Sequence, residues 1–178
     1  KTVATVNRKL TAIHGFWNWL REKGLVSRDP FTQIRRDTQF RNNHIKYLSE
    51  DEVVILLDCD NHDLKTKMLL ELIYATGIRV GEITQITVAD IDLENQIITI
   101  PRSSRYKERT IPFNQLLATL IAKHISINKL EPNSKIFLNR FDQGVSEREI
   151  FRMIREAAKS AGINKRISPS ILRNSFLR

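Results

Sequence analysis

A chain of 178 residues with 41% hydrophobic side chains can bury a core, which argues against a disordered or low-complexity protein. Its single cysteine, Cys59, excludes an internal disulfide framework, and no apolar run reaches the roughly 18 residues a membrane helix needs. Lys and Arg number 29 against 20 acidic residues, a formal charge of +9, which favours a polyanionic partner, nucleic acid being the commonest.

Residues 3–23 carry helical spacing in Val6, Leu10, Ile13, Trp17 and Leu20, with Phe16 widening the stripe and Gly24 as the stop. Phe16, Trp17 and Trp19 read as a packing face rather than a base-stacking platform. A turn through Asp29-Pro30 leads to a short helical piece at 31–34. Between Arg35 and Lys46 the composition turns polar and basic without an apolar period, and an interdomain linker is placed at 37–46. His44 has no second ligand-type residue at metal spacing and is read as non-functional.

A second domain opens at Tyr47-Leu48-Ser49. Ser49 with Glu52 matches a capping box for a helix through Val53, Leu56 and Leu57, on which Cys59 follows as a core residue rather than a reactive one. Residues 64–76 read as a helix stopped by Gly77. A second short helix starts at Arg79 and carries Val80, Ile83 and Ile86. Residues 91–95 read as a turn and 96–100 as a β-branched strand limited by Pro101. A basic loop from Arg102 to Glu108 leads to a second strand at 109–112, giving a hairpin with a cationic tip. Asn114 caps a helix through Leu117, Leu120, Ile121 and Ile125, and 135–138 reads as a third short strand. Ser146 with Glu149 makes another capping box, for a helix stopped by Gly162. Ser168-Pro169 opens the last helix, which carries Ile171, Leu172, Arg173 and Phe176. The fold class is mostly α with a small antiparallel β-sheet. No repeat, metal-spaced cluster or phosphate-cradling glycine loop stands out.

The stretch 74–83, Tyr-Ala-Thr-Gly-Ile-Arg-Val-Gly-Glu-Ile, organises the rest. A cation held at a tight junction between two apolar helices has little positional freedom, as a group set against a phosphate requires. Taken alone it reads first as an ordinary helix stop with a surface arginine. With the basic hairpin and the Arg173 helix, the chain resembles the tyrosine recombinase, or phage integrase, family over nearly its whole length. Residues 75–82 match the box around that family's first catalytic arginine, 107–112 the second half of its hairpin, and 168–174, in part, the box around its second arginine. Residues 5–30 resemble the last helices of its core-binding domain.

The resemblance implies the domains: 1–36, the end of a helical core-binding domain; 47–178, a catalytic domain that stops short of the nucleophile. It implies a site-specific recombinase that cuts and rejoins double-stranded DNA through a 3′-phosphotyrosyl link, with no metal or other cofactor. Arg79 and Arg173 are then the two phosphate-holding arginines, guanidinium being permanently charged and bidentate. Glu82 either orients Arg79 or serves as a core salt bridge. The family's hairpin lysine, a general acid, falls on Ser104, with Lys107, Arg105 or Arg102 as alternatives. Its first histidine falls on Ser170 and the one after the arginine on Asn174; a serine donates a hydrogen bond but is no base at neutral pH. None of Tyr47, Tyr74 and Tyr106 sits at the nucleophile position. A fragment of a longer protein is therefore expected, unable by itself to cleave DNA. Phosphate contacts are expected from Arg8, Lys9, Arg35, Arg36, Arg41, Lys46, Arg102, Arg105 and Lys107. A homotetramer on paired DNA sites, no membrane and a cytoplasmic location complete the expectation. The competing reading is a non-catalytic DNA-binding relative of the same ancestry.

Overall fold

The computed structural model describes residues 3–33, 47–102 and 107–176. The expected linker at 37–46 lies outside them. The chain divides into two units, residues 1–44 and 45–178.

The first unit is built on helix α1, Val3–Glu22. Gly24 closes it with φ +71, a left-handed conformation that only glycine adopts without steric cost. The chain then folds back. The Trp17 indole N–H donates to the Arg28 carbonyl at 2.8 Å, and the Phe31 ring lies 5.0 Å from His14. A 3-10 turn at Pro30–Gln33 stands where the short helical piece was expected. The expected packing face is only partly realised. Trp17 is half-buried, but Phe16 and Trp19 stack on each other at 6.0 Å with both rings exposed.

In the second unit, α2 is Glu50–Leu57, opened by the Ser49–Glu52 capping box. The central element is α3, Leu64–Thr76, capped by the Asp63 side chain. Met68, Leu69, Leu70, Leu72 and Ile73 are all buried, so α3 is apolar around most of its circumference and must be enclosed. A single turn, α4 (Val80–Ile83), follows. Strands β1 (Ile91–Asp92), β2 (Ile97–Ile100) and β3 (Arg109–Pro112) make an antiparallel sheet in that order. Its inner face presents Ile98 and Ile100. Helices α5 (Gln115–Asn128), α6 (Glu147–Ser160) and α7 (Pro169–Phe176) complete the unit. α2, α5, α6 and α7 all contact α3. The mostly helical fold with a small antiparallel sheet is thus as expected, but its third strand is not.

Residues 91–92, read as part of a turn, pair with 97–98 as β1. Residues 135–138, read as a strand, form only isolated bridges, Thr87 with Lys135 and Leu138 with Gly144. Ile136 and Phe137 are buried there, and their backbone bonds run to loops, Ile136 N–H to the Ile86 carbonyl and Val145 N–H to the Phe137 carbonyl. Burial produced the strand-like apolar run without a ladder to go with it. Among the described residues no helix is long and apolar enough to cross a membrane.

Candidate active site

The first arginine is placed by the way α3 ends. Gly77 takes φ +59, and its N–H donates to the Ile73 carbonyl at 3.0 Å. Thr76 Oγ1 donates to the Leu72 carbonyl and accepts from the Ile78 N–H, so the turn is bonded on both sides. A Cβ at Gly77 would lie 2.8 Å from Phe176 Cδ1. Glycine is therefore required twice, by backbone angle and by the α7 ring lying against the turn. That contact sets the turn leading to Arg79 beside the helix that carries Arg173.

Arg79 is the N-cap of α4, and its guanidinium is half exposed. Glu82, one turn on, is wholly buried beside Ile83, Ile78 and Ile86. Its carboxylate reaches back to accept the Arg79 backbone N–H at 2.8 Å and Arg79 Nη1 at 3.4 Å. The same carboxylate takes a two-pronged contact from β3: Arg109 Nη1 at 2.5 Å on Oε1 and Arg109 Nη2 at 2.9 Å on Oε2. Burial alone would raise the Glu82 pKa. The Arg109 hydrogen bonds, the Arg79 amide and the two positive charges outweigh it and hold the carboxyl below its ordinary value. Glu82 in turn raises the pKa of Arg109 through their hydrogen bonds.

The sequence reading missed Arg109. The signal that could have found it is strand alternation. Arg109 pairs across the ladder with Ile100, which is buried, and Ile111 shares its face. An arginine on the inward face of a strand needs an acid, and Glu82 was the one acidic residue already linked to the arginine box.

Arg173 lies within α7, half-buried and next to the fully buried Leu172. Its Nε is buried and has no hydrogen-bond partner among the described residues. A buried donor left unmet calls for an explanation, and a ligand is one. α7 is tied down elsewhere. Ser175 Oγ donates to the Ile171 carbonyl at 3.0 Å and accepts the Leu48 N–H at 2.8 Å. Ser170 is exposed on the same helix.

Arg102 and Lys107 are exposed at the two ends of the loop between β2 and β3. Ser104 and Arg105, like Arg35, Arg36, Arg41 and Lys46, fall outside the described residues. Arg8 and Lys9 are exposed on α1 of the first unit. Among the described residues no group of three or more His, Cys, Asp or Glu side chains could hold a metal ion.

Residues 46–178 match the model of the phage integrase family. Over 99% of the chain, it is 28% identical to the tyrosine recombinase XerC of Thermodesulfovibrio yellowstonii and 30% identical to the tyrosine recombinase XerD of Listeria monocytogenes. In each case it spans 62% of the relative's length. The fold is similar to that of the Tn1549 transposon integrase, solved in complex with circular intermediate DNA. That match has a TM-score of 0.78 at 16% identity, over 98% of this chain and 65% of the other.

Proposed function

Because the chain belongs to the phage integrase family, we propose that it supplies phosphate-holding and DNA-contacting groups to a tyrosine recombinase that cuts and rejoins duplex DNA at specific sites. In the proposed reaction a tyrosine oxygen attacks a DNA phosphorus. The bond to the 5′ oxygen breaks, leaving a 3′-phosphotyrosyl link and a free 5′-hydroxyl. Attack by a 5′-hydroxyl on that link reverses the step and frees the tyrosine.

Arg79 and Arg173 hold the two non-bridging oxygens and stabilise the charge that builds on them in the pentavalent transition state. Ser170 donates a hydrogen bond to the same phosphate but takes no proton at neutral pH. Lys107 protonates the leaving 5′ oxygen, a role Ser104 cannot fill. The observation that supports this reading best is Arg79 itself, a half-exposed guanidinium whose backbone and side chain are both bonded to a wholly buried carboxylate. Such a cation is positioned before substrate arrives.

Arg8, Lys9, Arg35, Arg36, Arg41, Lys46, Arg102, Arg105 and Lys107 contact the DNA backbone, and four copies assemble on two sites in the cytoplasm. Affinity should fall steeply with salt, and a flat response would count against these contacts. The deciding experiment incubates the full-length protein with a nicked suicide duplex and looks for a covalent protein–DNA adduct. An adduct that disappears with Arg79→Ala while binding persists supports the recombinase. Intact binding with no adduct overturns it. That outcome favours the second reading, a non-catalytic DNA-binding relative, to which the serines at 104 and 170 already point.

A further inference from the structure

Arg79 and Arg109 share one acid. Glu82 Oε1 meets Arg109 Nη1 at 2.5 Å but Arg79 Nη1 at 3.4 Å. Oε2 is taken by Arg109 Nη2 and the Arg79 amide. The carboxylate is wholly buried, whereas the side chains of Arg79 and Arg109 keep 50% and 37% of their exposure. A buried carboxylate requires a compensating charge. Here Arg109 provides most of it, with the short, two-pronged geometry that makes such pairs strong. Arg79 is thereby left at the long, weak end of the contact.

We propose that Arg109 is a positioning residue: by saturating Glu82 from β3, it prevents the carboxylate from capturing the Arg79 guanidinium and leaves that group available to an anionic ligand. The consequence for catalysis rests on the recombinase reading above. Without Arg109, the buried carboxylate needs another partner, and Glu82 draws Arg79 inward into a closed ion pair. That withdraws the guanidinium from the phosphate. The fault passes through the charge on Glu82, so neutralising Glu82 should relieve it.

This dependence gives a test that a simple loss of packing would not mimic. In the full-length protein, Arg109→Met should slow cleavage of saturating suicide duplex by about 10–100-fold, since misplacing a catalytic group costs rate rather than binding. DNA affinity should change much less. Arg109→Lys should recover part of the rate. The double variant Glu82→Gln with Arg109→Met should be faster than Arg109→Met alone, although it carries one more substitution. Nitrogen NMR of the Arg79 guanidinium supplies a readout that needs no chemistry. Its rotation should slow in Arg109→Met and recover in the double variant. A double variant no faster than the single, or Arg79 signals unmoved by Arg109→Met, overturns the proposal. If the wild-type protein forms no adduct at all, the recombinase reading falls instead. The NMR comparison then decides the positioning role alone, sustained by a changed Arg79 signal and overturned by an unchanged one.

Discussion

The two arginine-bearing regions solve the same problem by opposite means. Arg79 sits at a junction between helices and is fixed by a counter-charge that the protein itself buries, Glu82, with Arg109 completing the group. Two cations and one anion leave one net positive charge facing outward. Arg173 sits within a helix beside fully buried Leu172, and its Nε–H is buried without a partner among the described residues. The first region spends an acid on holding its arginine still. The second relies on packing and leaves a donor unmet. An arginine with a resident acid is well positioned in the free protein but partly neutralised. One without such an acid keeps its full demand for an anion.

The largest effects that would break this comparison are on the chemistry. Arg79→Ala and Arg173→Ala should each slow adduct formation by about 10²–10³-fold, the usual cost of losing one donor to a developing oxyanion. Measured by filter binding, Arg173→Ala should cost more DNA affinity than Arg79→Ala, because among the described residues Arg173 has a buried donor without a partner. The reverse order would remove the distinction. Next comes Gly77→Ala, which should lower stability in chemical denaturation by about 1–3 kcal/mol from the positive φ and the Phe176 contact together. Adding Phe176→Ala should return the contact part of that loss and leave the backbone part. If the double variant is no better, Phe176 does not press on the turn.

A pH titration of stability addresses Glu82 directly. Its folded-state pKa lies below the ordinary 4.5, so the folded protein binds fewer protons there than the unfolded chain. The stabilisation is therefore complete above that value and is lost as pH falls through the lowered pKa. Arg109→Met should flatten this acid limb, as read by unfolding at a series of pH values. The smallest effect is Ser175→Ala, about 1 kcal/mol for the lost acceptor of the Leu48 N–H.

Much of this architecture was legible because its causes are local. The capping boxes at Ser49–Glu52 and Ser146–Glu149 lie within four consecutive residues each and formed as read. So did the Gly24, Gly77 and Gly162 stops, all at positive φ. The misreadings share a different cause. β1 is two residues long and exists only because its register with 97–98 pairs it, which no propensity reveals. Residues 135–138 looked like a strand because Ile136 and Phe137 are buried, yet burial and ladder pairing are separate properties. The same limit applied to the site. Arg79 and Arg173 were visible as motifs, whereas Arg109 acquires its role from Glu82, 27 positions earlier in the chain. The exposed Phe16 and Trp19 fell on the wrong side of a weighing between packing and display, since helical spacing alone does not say which face is covered.

The Leu48–Ser175 hydrogen bond has a further consequence. Leu48 lies in non-helical chain before α2, where an amide would ordinarily trade its proton with solvent quickly. Its N–H is instead held by a side chain of α7, 127 positions away. Deuterium uptake at this one amide should therefore keep time with the undocking of α7. Leu48 becomes a natural clock for the helix that carries Arg173, readable without labelling that helix at all.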